Sequence, residues 1–168
     1  LEKNGVPTHF IDLLSPHECA VRHLKMVPLE CVVRNIAAGS LCRRLGVEAG
    51  LELDPPLFEF FLKNDELHDP MVNENHALSF GWATQAEMDQ MKVYTLKINQ
   101  LLSELFASAG MILVDSKYEF GVDTDGNVCL GDEISPDSCR IWDAKTREIL
   151  DKDRFRKDMG GVIESYKE

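Results

Sequence analysis

The sequence predicts an α+β fold. Three observations carry this: short strand candidates cluster at the amino-terminal end before any helical pattern, one long helical periodicity occupies 84–110, and an Asp-Gly turn between apolar-rich segments follows it. The 168 residues are 44% hydrophobic and 28% charged, the composition of an ordinary globular protein. That length allows one compact domain or the joined pieces of two.

The first elements are short. Thr8 to Leu14 and Val21 to Met26 read as strands separated by Ser15-Pro16, and a third strand, Leu29 to Ile36, is expected after Pro28. Ala37 to Leu45 places Leu41 and Leu45 at helical spacing, and Gly46 is a plausible left-handed end. Leu57 to Leu62 is an apolar strand candidate, and the charged loop KNDELHDP after it closes at Pro70. Thr84-Gln85-Ala86-Glu87 fits a capping box, in which Thr and Glu satisfy backbone donors reciprocally at a helix start. Met88, Met91, Tyr94, Ile98, Leu101, Leu105 and Phe106 then form an apolar stripe that ends at Gly110; this is core packing rather than a ligand site. Met111 to Phe120 and Asn127 to Glu133 flank Asp125-Gly126 as a hairpin. The remainder mixes a Ser135-Pro136 loop, a charged helix candidate at 151–159 and Gly160-Gly161 before another helix start.

Charge narrows the function. The net charge is −11, with six acids and six bases in 1–53, nine against three in 54–114 and fourteen against nine in 115–168. Nucleic acid and anionic membrane are disfavoured as partners, and anionic metabolites require a local Arg/Lys cluster or a bound cation. Cys19, Cys31, Cys42, Cys129 and Cys139 include no C-x-x-C pair, so a reducing cytoplasm is the expected compartment. The longest aliphatic run, Met111 to Val114, is far short of the ~20 residues of a membrane helix. The opening LEKNGVPTHFID has neither initiator Met nor signal-peptide features, as if the chain began in mid-protein.

Three constellations carry candidate chemistry. Strand alternation puts Asp115, Lys117 and Glu119 of VDSKYEFG on one face. A two-residue turn at Asp125-Gly126 sets Glu119 opposite Asp132, whereas a longer loop shifts Asp132 towards Lys117. Opposed carboxylates require compensation by Lys117, a proton or a hard divalent cation, unless the face is simply solvated. In VPLECVVRNIAAGSLCRR, Arg34 precedes the small-residue turn Ala37-Ala38-Gly39-Ser40 and a helix carrying Arg43 and Arg44, a pattern suited to a carboxylate or phosphate or merely to strand–helix packing. Asp137, Arg140, Lys152, Arg154, Arg156 and Lys157 concentrate basic charge near the end, as an anion site or a solvated helix face. The five histidines form no zinc pattern, and no Walker loop, GxGxxG or nucleophile elbow is present.

VPLECVVRNIAAGS resembles the first signature of the phosphoribosylaminoimidazole-succinocarboxamide synthase (SAICAR synthetase) family, and LVDSKYEFG resembles its second. FFLKNDELHDPMVNE, LGDEISPDSCRIWD and LDKDRFRKDMGGV are similar to that family in the same order. The resemblance implies a two-lobe fold, with 1–27 the end of an amino-terminal β lobe and 28–168 an α/β lobe, and ATP between them. It also implies a cytoplasmic ATP- and Mg²⁺-dependent ligase of purine biosynthesis, forming a homo-oligomer when intact. The reaction joins L-aspartate to 5-aminoimidazole-4-carboxylate ribonucleotide (CAIR) through an acyl phosphate. On this resemblance Glu119 and Asp132 are the metal–nucleotide carboxylates, and Lys117 a partner of the phosphates with Asp115 beside it. Met26 to Glu30 form the adenine hinge. Arg34, Ser40 and Arg140 hold the ribonucleotide, with Lys152 and Arg156 as weaker candidates for acidic substrate groups.

No Lys-bearing phosphate-covering segment matches, so the expectation is a chain lacking roughly the family's first quarter and a short tail, with little activity alone. The alternative functions are a non-catalytic nucleotide- or metal-binding fragment and, more distantly, another ATP-using enzyme of kinase-like architecture.

Overall fold

Ser15 shapes the first turn. Its hydroxyl accepts from His17 N–H and donates to the Glu18 carboxylate, closing a hairpin between β1 (Phe10–Ser15) and β2 (Glu18–Val21) with Ser15 opposite Glu18. The second strand therefore starts three residues earlier than Val21, and residues 22–24 are a connection. The computed structural model describes residues 1–161 and 163; apart from Ile163, the helix start expected after Gly161 lies outside the described residues.

β3 (Lys25–Ile36) runs through Pro28, where the sequence suggests a break. Proline has no N–H to donate, but the Pro28 carbonyl accepts from Lys63 N–H at 3.1 Å, so pairing continues across it. A boundary at 27/28 accordingly falls inside a strand. Ala37 does not begin a helix: its N–H and C=O are taken by Leu51 and Gly50, and α1 is confined to Ser40–Leu45, with left-handed Gly46 at its end as expected. β4 (Glu52–Leu62) is longer than its apolar half, extending back through Pro55-Pro56. The charged loop contains a 3₁₀ turn at Asp65–Leu67, and β5 (Met71–Val72) returns to pair with β4.

α2 (Glu74–Ser79) is not evident from apolar spacing; Asn73 and His76 form its capping box. α3 (Gln85–Ser108) is the expected long helix, and its capping box is present: Thr84 Oγ accepts from Glu87 N–H, and the Glu87 carboxylate accepts from Thr84 N–H. After Gly110 come β6 (Met111–Val122), β7 (Val128–Leu130) and β8 (Cys139–Asp143), the last in the stretch expected to be loop and helix. The sheet order is β5-β4-β3-β6-β7, with β8 pairing β6. The charged helix candidate at 151–159 shortens to α4 (Asp153–Arg156). The α+β class is as expected, and no described helix is long and apolar enough to cross a membrane.

Two compact units are assembled from interleaved segments. The first comprises Leu1–Cys31, Glu59–Ile98 and Tyr118–Asp132; Leu29, Met88, Met91, Ile98, Tyr118 and Phe120 are its largest fully buried side chains. The second comprises Val32–Phe58, Asn99–Lys117 and Glu133–Glu168. Its core includes Ile36, Ala38 and Val114, against which Ile112 and Trp142 pack, and Asn35 and Asn99 exchange amide hydrogen bonds at 2.9 Å.

Candidate active site

In the second unit the pairing of β6 with β8 sets Asp115 opposite Arg140. Asp115 is buried and receives three charge-assisted hydrogen bonds: Arg34 Nη1 at 2.8 Å, and Arg140 Nη1 at 3.0 and 2.8 Å to its two oxygens. Arg34 is 3% exposed and its other branch reaches Ser40 Oγ at 3.4 Å. Arg140 Nε donates to Asp153 at 2.9 Å, and Asp153 accepts from Arg156 at 2.7 Å. The structure thus brings Arg34, Ser40, Asp115, Arg140 and Arg156 into one network, through an aspartate that sequence reasoning missed.

The network sets its own protonation. Burial pushes the Asp115 carboxyl above its ordinary pKa, and the Arg140 and Arg34 guanidiniums offset part of that rise. Burial also works against the Asp153 carboxylate, but hydrogen bonds from Arg140 and Arg156 outweigh it and hold its pKa below the usual range. Burial disfavours the Arg140 cation, but Asp115 and Asp153 overcome it and raise its pKa.

The basic residues concentrated near the end are paired with acids. Lys152 pairs with Asp137 at 3.3 Å on the surface, away from the Arg140 network's bonds, and Arg154 pairs with Glu148 at 2.7 Å. Acidic residues interspersed in the same segment neutralise it, so Lys152 and Arg156 are each engaged by an aspartate.

The first unit holds a second cluster. Lys63 Nζ lies 2.7 Å from Glu119 Oε1 and 3.9 Å from Glu30 Oε1. Lys63, the first residue of the charged loop KNDELHDP, carries no chemical signal of its own; its backbone bond to Pro28 brings it here. The hairpin takes the longer loop, which shifts Asp132 one step from Glu119 towards Lys117. Phe120 faces Leu130, and Gly131 N–H donates to Glu119 C=O, so continuing the ladder points Asp132 at Tyr118 rather than at Glu119 or Lys117. The cause is a three-residue loop, Thr124 to Gly126, closed by the Asp123–Asn127 pair with Gly126 at φ 85°. The ladder ends at Leu130, so strand alternation does not fix the side on which Asp132 lies.

Met26 is 43% exposed, with its sulfur 3.0 Å from where a Cβ on Gly121 or Gly131 would be; Leu24 Cβ is 2.7 Å from the Gly121 position. Two glycines therefore let the expected hinge segment approach the β6–β7 hairpin closely. Lys117 is half-buried, and its N–H donates to Ser138 C=O at 2.9 Å.

Mg²⁺ is bound through one or two carboxylates completed by phosphate oxygens and water. The first unit suits that mode: its carboxylates are hard donors, and Glu119 already holds an ammonium at 2.7 Å. No group of three His, Cys, Asp or Glu capable of holding a metal occurs among the described residues, so the nucleotide's phosphates would supply the remaining ligands.

The sheet carries a buried Arg–Asp–Arg cluster and a separate carboxylate–lysine cluster. The SAICAR synthetase family model matches residues 1–168. The phosphoribosylaminoimidazole-succinocarboxamide synthase of Coxiella burnetii is 71% identical over the whole chain, which spans 70% of that relative. The crystal structure of the Ehrlichia chaffeensis synthase superposes with a TM-score of 0.95 at 48% identity, over 99% of this chain and 71% of that one. A SAICAR synthetase in complex with ADP gives 0.95 at 50% identity, again over 99% and 71%. The chain belongs to the SAICAR synthetase family, and its fold is that of the family's structures.

Proposed function

We propose that the chain carries the chemistry of an ATP-dependent ligase joining L-aspartate to CAIR in the cytoplasm. The observation that carries this reading is the single hydrogen-bonded cluster of Arg34, Ser40, Asp115 and Arg140, contributed by both family motifs and the segment after them. An ADP complex of a relative supports nucleotide binding. A carboxylate is a poor electrophile, so its oxygen first attacks the γ-phosphorus of ATP, releasing ADP and leaving an acyl phosphate. The aspartate amine then attacks the acyl carbon; phosphate departs, the amide C–N bond forms and the amine loses a proton.

This chemistry requires no protein nucleophile, only alignment and charge neutralisation. Bound Mg²⁺ would offset charge on the transferring phosphoryl group. Glu119 and Asp132 hold that ion, Lys117 steadies the phosphates, and Met26 to Glu30 receive adenine. Arg140 and Ser40 hold the ribonucleotide's phosphate or carboxylate, with Arg34 and Asp115 fixing Arg140, while Arg156 and Lys152 are assigned to acidic substrate groups at the rim.

Crossed calorimetry tests the assignment. Asp132→Asn is expected to weaken Mg²⁺–ATP binding while sparing CAIR, and Arg140→Ala to do the reverse. Equal losses of both ligands in either variant would overturn the division of labour.

A further inference from the structure

Asp151 is a carboxylate with no exposed surface. One oxygen accepts from Ile141 N–H at 2.7 Å and the other from Asp153 N–H at 2.8 Å. Those two amides belong to the residue after Arg140 on β8 and to the residue whose side chain grips Arg140 Nε. A single buried group thus ties the backbones on both sides of the Arg140–Asp153 pair. Leu150 N–H bonds Ile141 C=O at 2.8 Å, so the tie is backed on the strand side.

Gly39 constrains the same guanidinium from the opposite direction. It has φ 57° and ψ −126°, and a Cβ there would lie 2.5 Å from Arg140 Nη2 and 2.8 Å from Cζ. The guanidinium therefore lies directly against the Gly39 backbone, a place no other residue leaves open. With Nε on Asp153 and Nη1 on Asp115, Nη2 is the branch without a hydrogen-bond partner among the described residues.

We infer that Asp151 and Gly39 are positioning residues, which together set the plane of the Arg140 guanidinium so that Nη2 is presented to the anionic group of the substrate. The inference rests on the proposed role of Arg140 toward the ribonucleotide. Asparagine at 151 can accept from only one of the two amides and turns an NH₂ toward the other, loosening Asp153 and hence Arg140. A methyl group at 39 displaces Nη2 directly.

The test is a double-mutant cycle read by calorimetry, with CAIR as titrant and Mg²⁺–ATP as control. Asp151→Asn and Gly39→Ala are each expected to weaken CAIR binding by about tenfold or more, as displacement of a positioned group does, with Mg²⁺–ATP affinity retained. In an Arg140→Ala background, the same two substitutions are expected to cost CAIR binding little further. Additive losses in both backgrounds, or parallel loss of Mg²⁺–ATP, would show a general structural role and overturn the inference. If Arg140→Ala weakens CAIR binding but neither partner substitution does, the inference alone fails. If Arg140→Ala leaves CAIR binding unchanged, the role of Arg140 fails and the inference with it. Far-UV dichroism reports folding; should Asp151→Asn not fold, the Gly39→Ala cycle decides by the same criteria.

Discussion

Asp115→Asn perturbs the buried carboxylate shared by Arg34 and Arg140 in the second unit. In the native chain one buried carboxylate faces two guanidiniums, of which Arg34 is 3% exposed and the Arg140 side chain 20%. Asparagine keeps an acceptor oxygen but removes the negative charge and places an NH₂ against an arginine that also only donates. Removing one partner of a buried pair costs about 3–5 kcal/mol because the remaining charge stays buried; the retained acceptor argues for the lower end. At about 2–4 °C per kcal/mol for a chain of this size, a melting point about 6–12 °C lower is expected. Arg140→Met is the informative contrast, since Asp115 keeps Arg34 and Asp153 keeps Arg156. It should cost about 1–2 kcal/mol, in the range of lost charge-assisted hydrogen bonds from a partly exposed group. Urea titration and thermal melts at neutral pH measure both. If Asp115→Asn melts within about 2 °C of the parent, or Arg140→Met costs as much, the burial argument is wrong.

Acid provides a second check. Because Asp153 has a depressed folded pKa, its contribution is present above the ordinary aspartate value of about 4 and is lost as pH falls through its lower folded value. The stability gap between the parent and Asp153→Asn should therefore close in acid; a gap that stays constant would mean the carboxylate is not held by its arginines. Thr84→Ala removes one half of the capping box of α3 and should cost about 1 kcal/mol, seen as a lower urea midpoint with an unchanged slope; an unchanged midpoint would show that water replaces the cap.

What was legible in the sequence was mostly local. The Thr84–Glu87 capping box and Gly46 cap read correctly because cap chemistry lies within one turn of the chain. The extents of β3 and β4 did not, since strand continuity through Pro28 and Pro55 depends on partners far away in sequence. Pro28 is bridged by Lys63, thirty-five positions on. The β6–β7 register turned on one residue of loop length, and the Asp123–Asn127 pair that sets it gives no apolar pattern to read. In the candidate site, the motif types pointed to Arg34, Ser40, Asp115 and Arg140, but Asp151 and Asp153 looked like surface acids in a charged helix. Their burial follows from β8, and β8 exists through pairing with β6, which periodicity within 134–168 cannot show.

That hidden pairing changes how the site must work. A chain of net charge −11 would ordinarily need exposed basic groups to hold an anionic substrate, yet Arg34, Arg140, Arg154 and Arg156 each have a carboxylate partner. Such pairing leaves the free protein little long-range attraction for anions in general, and it discriminates against ligands that offer charge without geometry. An incoming phosphate or carboxylate must either displace Asp115 or Asp153, which are buried and bonded, or use the branch of Arg140 that neither occupies. The second route needs no buried charge to be stripped of its partner, so it is the cheaper one. It is also directional: Nη2 lies against Gly39 at a place fixed by Asp115, Asp153 and the strand beneath them. On the proposed role of Arg140, selectivity for a substrate anion would come from where one N–H fork points, and the aspartates that neutralise the arginines are the same groups that aim it.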